Sequence, residues 1–168
     1  MYLKNKWYKL ASTYWGAAAA GCLFICLEDK TILLFERSDE VEQPGTWGVS
    51  GGAVKEKGEL FLKTKDNKNN IEDNSFNSTA IEETTEEAGS FPENAELVDY
   101  TDFTDKSFTF RTYIYNISLE EKNKWTPTIV LNWENNSCKW YNINNLPGNM
   151  HFGVKEKIGE IIRLFINK

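Results

Sequence analysis

The chain has 168 residues, a formal net charge of −6 and an isoelectric point near 5.0, with 40% hydrophobic and 14% aromatic residues. That length supports one domain with a sizeable core, and the acidic balance excludes a broad basic surface for a nucleic-acid backbone. The three cysteines, Cys22, Cys26 and Cys138, match no zinc spacing, and their odd number points to reduced, buried thiols in an intracellular, cytoplasmic protein.

Lys4, Lys6 and Lys9 precede an apolar run from Gly16 to Leu27, which has the outline of a leader. No small-residue cleavage pattern follows it, and Glu28-Asp29-Lys30-Thr31 reads as a turn into a second apolar run. Ala17–Leu27 and Ile32–Phe35 are therefore expected as buried strands, and no stretch is long enough to span a membrane. Gln43-Pro44-Gly45-Thr46 is a turn, and Trp47 to Ser50 a short strand that delivers the chain to Gly51-Gly52. Residues 60–77 are rich in Asn, Lys and Asp without periodicity, as in a mobile surface insertion.

A helix is expected to begin near Ser78 or Thr79 and to stop at Gly89, with Pro92 just beyond. Its apolar side is Ala80, Ile81, Thr84 and Ala88, and its glutamates take the other side. Leu97–Tyr100, Ser107–Ile117, Thr128–Trp133 and Lys139–Asn142 read as strands. Ile158, Ile161, Ile162 and Phe165 mark a C-terminal amphipathic helix. Strands interleaved with two helices predict an α/β sandwich with a mixed sheet, in one domain over residues 1–168.

Glu83, Glu86 and Glu87 stand at i, i+3 and i+4 of the first helix, so their carboxylates share a face. Like charges at that spacing repel by about a few tenths of a kcal/mol per pair. A divalent cation such as Mg2+ relieves that repulsion, and carboxylate-held Mg2+ is how enzymes handle phosphate oxygens. Four glutamates alone are more often a solvated face; here a glycine pair and a Gly58-Glu59 step lie upstream. His151, flanked by Met150 and Phe152, reads as a loop residue packed on the core.

Gly51-Gly52, Gly58-Glu59, Glu83, Glu86, Glu87 and Gly89 together resemble the signature of the Nudix hydrolases. The flanks agree: Leu33 to Ser38, the Pro44-Gly45-Thr46-Trp47-Gly48 turn, and downstream Trp133-Glu134, Trp140 and Leu146-Pro147 through His151. The departures are one extra residue before Glu59, a stretched connection from there to the helix, and Glu82 where the family has an arginine that braces the loop glutamate. Thr84 and Ser90 stand where the family has aliphatic residues.

The resemblance implies a Nudix-type α/β/α sandwich that attacks a nucleoside diphosphate derivative with water, using Mg2+ or Mn2+. Carried over by position, Glu83 and Glu87 would be the principal metal ligands and Glu86 a further one, with a carbonyl of the Ser50–Gly52 turn beside them. The general base comes either from the helix or from a later segment, where Glu134 is the candidate. Arg37 and Trp47 are candidate contacts for phosphate and base, and Gly51 and Gly52 let the ligand approach. A small nucleotide, foremost a nucleoside triphosphate, is the implied substrate. A nucleotide-binding module of weakened turnover and an RNA-decapping hydrolase are the alternatives, capped RNA being the one nucleic-acid partner retained.

Overall fold

The run AAAGCLFIC shows no alternation because both faces of its strand are covered, as expected of a central strand. The computed structural model describes residues 18–56, 59–60, 73–105 and 108–166. In it, β1 (Ala18–Cys26) is buried along its whole length. Ala18, Ala20, Cys22 and Phe24 face one side, and Leu23 and Ile25 the other. Around β1 lie β2 (Thr31–Arg37), β3 (Trp47–Gly48), β4 (Ser50–Ala53), β7 (Ala95–Asp105), β8 (Phe108–Ile117) and β9 (Asn135–Asn142) in one seven-stranded sheet. β5 (Lys55–Glu56) and β6 (Glu59–Leu60) pair separately. The main order is β3-β2-β1-β8-β7, with β4 beside β1 and β9 beside β2. β1 and β8 run parallel and the other pairings are antiparallel, so the sheet is mixed as expected.

One edge of β1 is shared between two partners. Ala19 to Cys22 pair with β4, and Ile25 and Cys26 pair with β2. The two partners diverge from this edge, and the register of β2 against β9 slips at Glu36/Arg37. A bulge of this kind turns the next side chain away from the strand's regular alternation.

Helix α1 (Asp73–Ala88) packs on one face of the sheet through Phe76, Ala80, Thr84 and Ala88, all buried and spaced by four. Thr84 is tolerated in that core because its hydroxyl donates to the Ala80 carbonyl (2.9 Å) and meets the Ser50 hydroxyl at 2.7 Å. Gly89, at φ +79°, closes the helix. The Val130 and Asn132 amides then donate to the Ala88 and Glu87 carbonyls at 2.9 and 3.1 Å, satisfying groups a helix end leaves open. On the other face α3 (Phe152–Ile166) buries Val154 and Ile161 against Leu23, Ile25, Ile32, Leu34 and Ile114. The architecture is the α/β/α sandwich.

A short helix α2 (Leu119–Trp125), followed by a 3-10 turn (Thr126–Thr128), completes the α1 side. Ser118 caps α2, accepting from the Glu121 amide. The buried Glu121 carboxylate accepts from the Glu93 amide (2.9 Å) and from Asn94 Nδ2 (3.0 Å), tying the start of β7 to this helix.

Several boundaries differ from the sequence reading. The polar tract does not run to Asn77: α1 starts at Asp73, with Phe76 buried and Asn77 accepting from the Tyr115 hydroxyl at 2.8 Å. Residues 61–72, Gly58 and the lysines before Gly16 lie outside the described residues. Thr128–Trp133 is not a strand, because its amides are spent on the 3-10 turn and the end of α1; β9 begins instead at Asn135. The expected strand at Leu97–Tyr100 lies in the first half of a longer one. Glu87 does not join the other glutamates on the solvent side but is buried, 4% exposed.

Candidate active site

The fork between β2 and β4 opens a cleft of about 260 Å3, lined by Arg37, Val41, Glu42, Gly51, Gly52, Ala53, Glu83, Glu87, Trp133, Glu134 and Asn135. Five segments meet there: the end of β2, the loop after it that carries Val41 and Glu42, the glycine pair of β4, the last turns of α1 and the turn into β9.

Glu87 is its most constrained member. Oε1 accepts from the Gly51 amide at 2.7 Å and Oε2 from Asn135 Nδ2 at 2.7 Å. These bonds fix the carboxylate between helix and sheet, and they favour its charged form. Burial works against them and prevails: with the Glu134 and Glu83 carboxylates adding to it, the Glu87 pKa is pushed up to about 8. Glu87 is thus a buried carboxyl that an added cation would return to its ionised state.

Glu83, one turn earlier and half-buried, lies against Gly52 so closely that a Cβ there would stand 2.3 Å from its Cδ. Glu134 sits in a turn, its Oε1 accepting from Asn132 Nδ2 at 3.1 Å while its own amide donates to Asn132 Oδ1 at 3.0 Å. Arg37, beyond the bulge, donates through Nε to the Glu42 carbonyl at 2.6 Å. Burial lowers its pKa, and Glu87, Glu134 and Glu42 oppose that.

The structure therefore brings together Glu83, Glu87, Glu134, Arg37, Gly51 and Gly52. It separates Glu86, which is exposed and lines a second hollow with Ser75, Ser78, Thr79, Glu82 and Glu83. Among the described residues, no three His, Cys, Asp or Glu side chains form a ready-made metal cluster. Trp47 stays out of the cleft: its ring packs edge-on against Tyr141 at 5.1 Å, and its backbone bonds Asn149 and His151. Sequence reasoning missed Asn135, Glu42 and the exposed Trp133. For Asn135 no local signal exists, since its role depends on Glu87 reaching it across the fold.

His151 is buried at the start of α3, with Nδ1 accepting from the Gly153 amide at 3.4 Å. It borders a smaller cavity that Arg37 and Gly51 also line. Burial, and then the Arg37 charge, lower its pKa from 6.5 to about 3. Between those values the unfolded chain binds the proton and the folded chain does not, so stability rises with pH across that window. Its contribution should be lost progressively as pH falls from about 6.5 towards 3. Urea titrations at stepped pH should show His151→Leu flattening that acid-side slope; an unchanged slope would count against a neutral, buried imidazole.

The NUDIX domain model matches residues 16–165. The chain belongs to the Nudix family. No curated protein matches it. Among solved structures, a Nudix hydrolase from M. smegmatis, RenU, is 18% identical with a TM-score of 0.65, covering 92% of this chain and 89% of that one. A C. elegans Ap4A hydrolase binary complex is 17% identical with a TM-score of 0.60, covering 90% and 99%. The E. coli dihydroneopterin triphosphate pyrophosphohydrolase is 18% identical with a TM-score of 0.57, covering 92% and 99%. At these identities the likeness is one of fold. Membership makes this Nudix protein a pyrophosphohydrolase acting on phosphoric anhydrides of the nucleoside diphosphate-linked class. Among the described residues, no helix is long and apolar enough to cross a membrane.

The two polar residues at aliphatic positions of the Nudix pattern are both accommodated: Thr84 by Ser50, and Ser90 by accepting from Trp125 Nε1 at 2.9 Å. Glu82, in the arginine position, is exposed in the second hollow.

Proposed function

We propose that this Nudix protein hydrolyses a nucleoside triphosphate or a related nucleotide with Mg2+ or Mn2+, in the cytoplasm. The observation that carries the reading is Glu87, held by two hydrogen bonds beside Glu83 and Glu134 at the floor of one cleft. The donor set fits the metal: hard carboxylate oxygens, a buried carboxyl biased against charge, and a glycine wall that leaves room at Glu83. Glu83 and Glu87 would hold the ion, with Glu86 approaching from the second hollow. Bound there, Mg2+ or Mn2+ neutralises phosphate oxygens and acidifies water.

The chain's own groups supply the rest. Arg37 attracts and orients the polyphosphate through its guanidinium. Gly51 and Gly52 let the phosphates lie against backbone. Glu134, oriented by Asn132, takes a proton from the attacking water as that oxygen bonds to phosphorus and the bridging P–O bond breaks.

The test is a panel of nucleoside triphosphates, dinucleoside polyphosphates, nucleotide sugars and capped RNA, assayed with a titration of Mg2+ and Mn2+. Turnover that EDTA abolishes is expected; no product from any member would defeat the proposal. A second reading, a binding module with weakened turnover, is favoured by one feature, Glu82 in the bracing position. Tight nucleotide binding unchanged by EDTA, without turnover, would establish it instead.

A further inference from the structure

Trp133 is 64% exposed and is one of the residues lining the cleft that holds Glu83, Glu87 and Glu134. An exposed tryptophan is ordinarily costly in apolar surface left to water, about 25 cal/mol for each Å2. Its backbone is nevertheless pinned on both sides. The Asn132 amide donates to the Glu87 carbonyl at 3.1 Å, and the Ser38 amide donates to the Glu134 carbonyl at 2.8 Å. The indole therefore stands on a turn bolted to α1 and to the end of β2, and little backbone freedom remains to be lost when something covers it. Among the described residues, it is the only aromatic residue lining the cleft.

The cleft consequently has two chemically distinct parts. Carboxylates and the glycine pair form one; Trp133 and Val41 form an apolar part, with Arg37 also lining the cleft. A nucleoside polyphosphate has the same division, with anionic phosphates and a planar ring. We infer that Trp133 is the stacking platform for the base of the substrate, and that it sets a preference for anhydrides bearing an aromatic ring over base-free ones. This rests on the hydrolase reading above and names the half of the substrate that reading leaves open. Base-on-aromatic stacking tolerates every base, because each has a π face, so Trp133 selects for the presence of a ring rather than its identity.

The experiment compares the best-hydrolysed nucleoside triphosphate with ribose 5-triphosphate, for wild type, Trp133→Ala and Trp133→Phe. Trp133→Ala should raise KM for the nucleotide by about 10- to 100-fold with kcat nearly unchanged, and leave ribose 5-triphosphate unaffected. Trp133→Phe should recover most of the loss. An unmoved KM, or an equal loss on both substrates, overturns the inference. If no anhydride is turned over, calorimetry with α,β-methylene-ATP separates the two ideas. Affinity lost in Trp133→Ala and restored in Trp133→Phe keeps the platform while the hydrolase reading falls. Affinity equal in all three proteins, or no binding at all, overturns the platform as well.

Discussion

Glu87→Gln should lower kcat by about 10³-fold while leaving the metal-free protein more stable than wild type. The two effects share one cause. Wild-type Glu87 holds its proton up to about pH 8 when folded, against an ordinary value of 4.5, so between these values the unfolded chain gives up a proton that the folded one retains. Stability contributed at this site therefore falls as pH rises through that window. A neutral amide of the same shape removes the penalty. Its oxygen still accepts from the Gly51 amide, and Asn135 meets the new NH2 by turning its own amide over. What the amide cannot do is carry the charge that would hold a divalent cation. Thermal melts in EDTA should thus rise for Glu87→Gln, and added Mg2+ should move its midpoint less than that of wild type. A variant that kept more than a tenth of wild-type turnover with unchanged metal dependence would remove Glu87 from the ligand set.

Gly52→Ala should cost about 10²-fold in turnover with little loss of stability, the penalty expected when a reacting group is displaced by about 1 Å. An added Cβ would lie 2.3, 2.4 and 2.5 Å from Cδ, Oε1 and Oε2 of Glu83. The Glu83 carboxylate must move, and being half-buried at the end of a flexible side chain it can do so without disturbing the core. Gly51→Ala is the control. Its Cβ would stand 2.6 Å from the Ala20 carbonyl oxygen and 2.8 Å from the Gly21 Cα, so strands β1 and β4 would have to part. Lower urea midpoints for Gly51→Ala, with near-wild-type midpoints and lost activity for Gly52→Ala, are the expected pattern. Full activity in Gly52→Ala would mean that Glu83 has no fixed place in the reaction. Neither glycine adopts positive φ, so the pair is there for space rather than for backbone conformation.

Much of this arrangement was legible because periodicity and local chemistry act over short distances. The strand β1, the C-terminal helix and the i, i+4 relation of Glu83 to Glu87 follow from residues within one or two turns of each other. Two further signals lie in the sequence. Phe76 extends the four-residue ladder Ala80, Thr84, Ala88 backwards by one step and marks the early start of α1 among polar neighbours. Ser118 and Glu121 stand in capping-box spacing and announce α2. The burial of Glu87 was not legible, because the donors that accept it into the interior are Gly51 and Asn135, far away along the chain. Nor was the choice between Trp47 and Trp133. Each adjoins a turn, and only the fold shows that Tyr141 covers the first while the cleft holds the second.

The clasp on Glu87 also sets when the cleft can take shape as the chain is made. Its two bonds join residues 36 and 48 positions apart, and β1 must wait for β8 before its parallel edge is filled. Pairings of such long range form late. A nascent chain that has not yet delivered Asn135 has Glu87 tied by one oxygen at most, and the turn carrying Trp133 and Glu134 has no β9 to hold it against the cleft. Closure of the cleft thus waits for β9 to pair with β2, and a chain truncated before β9 lacks the Asn135 hold on Glu87.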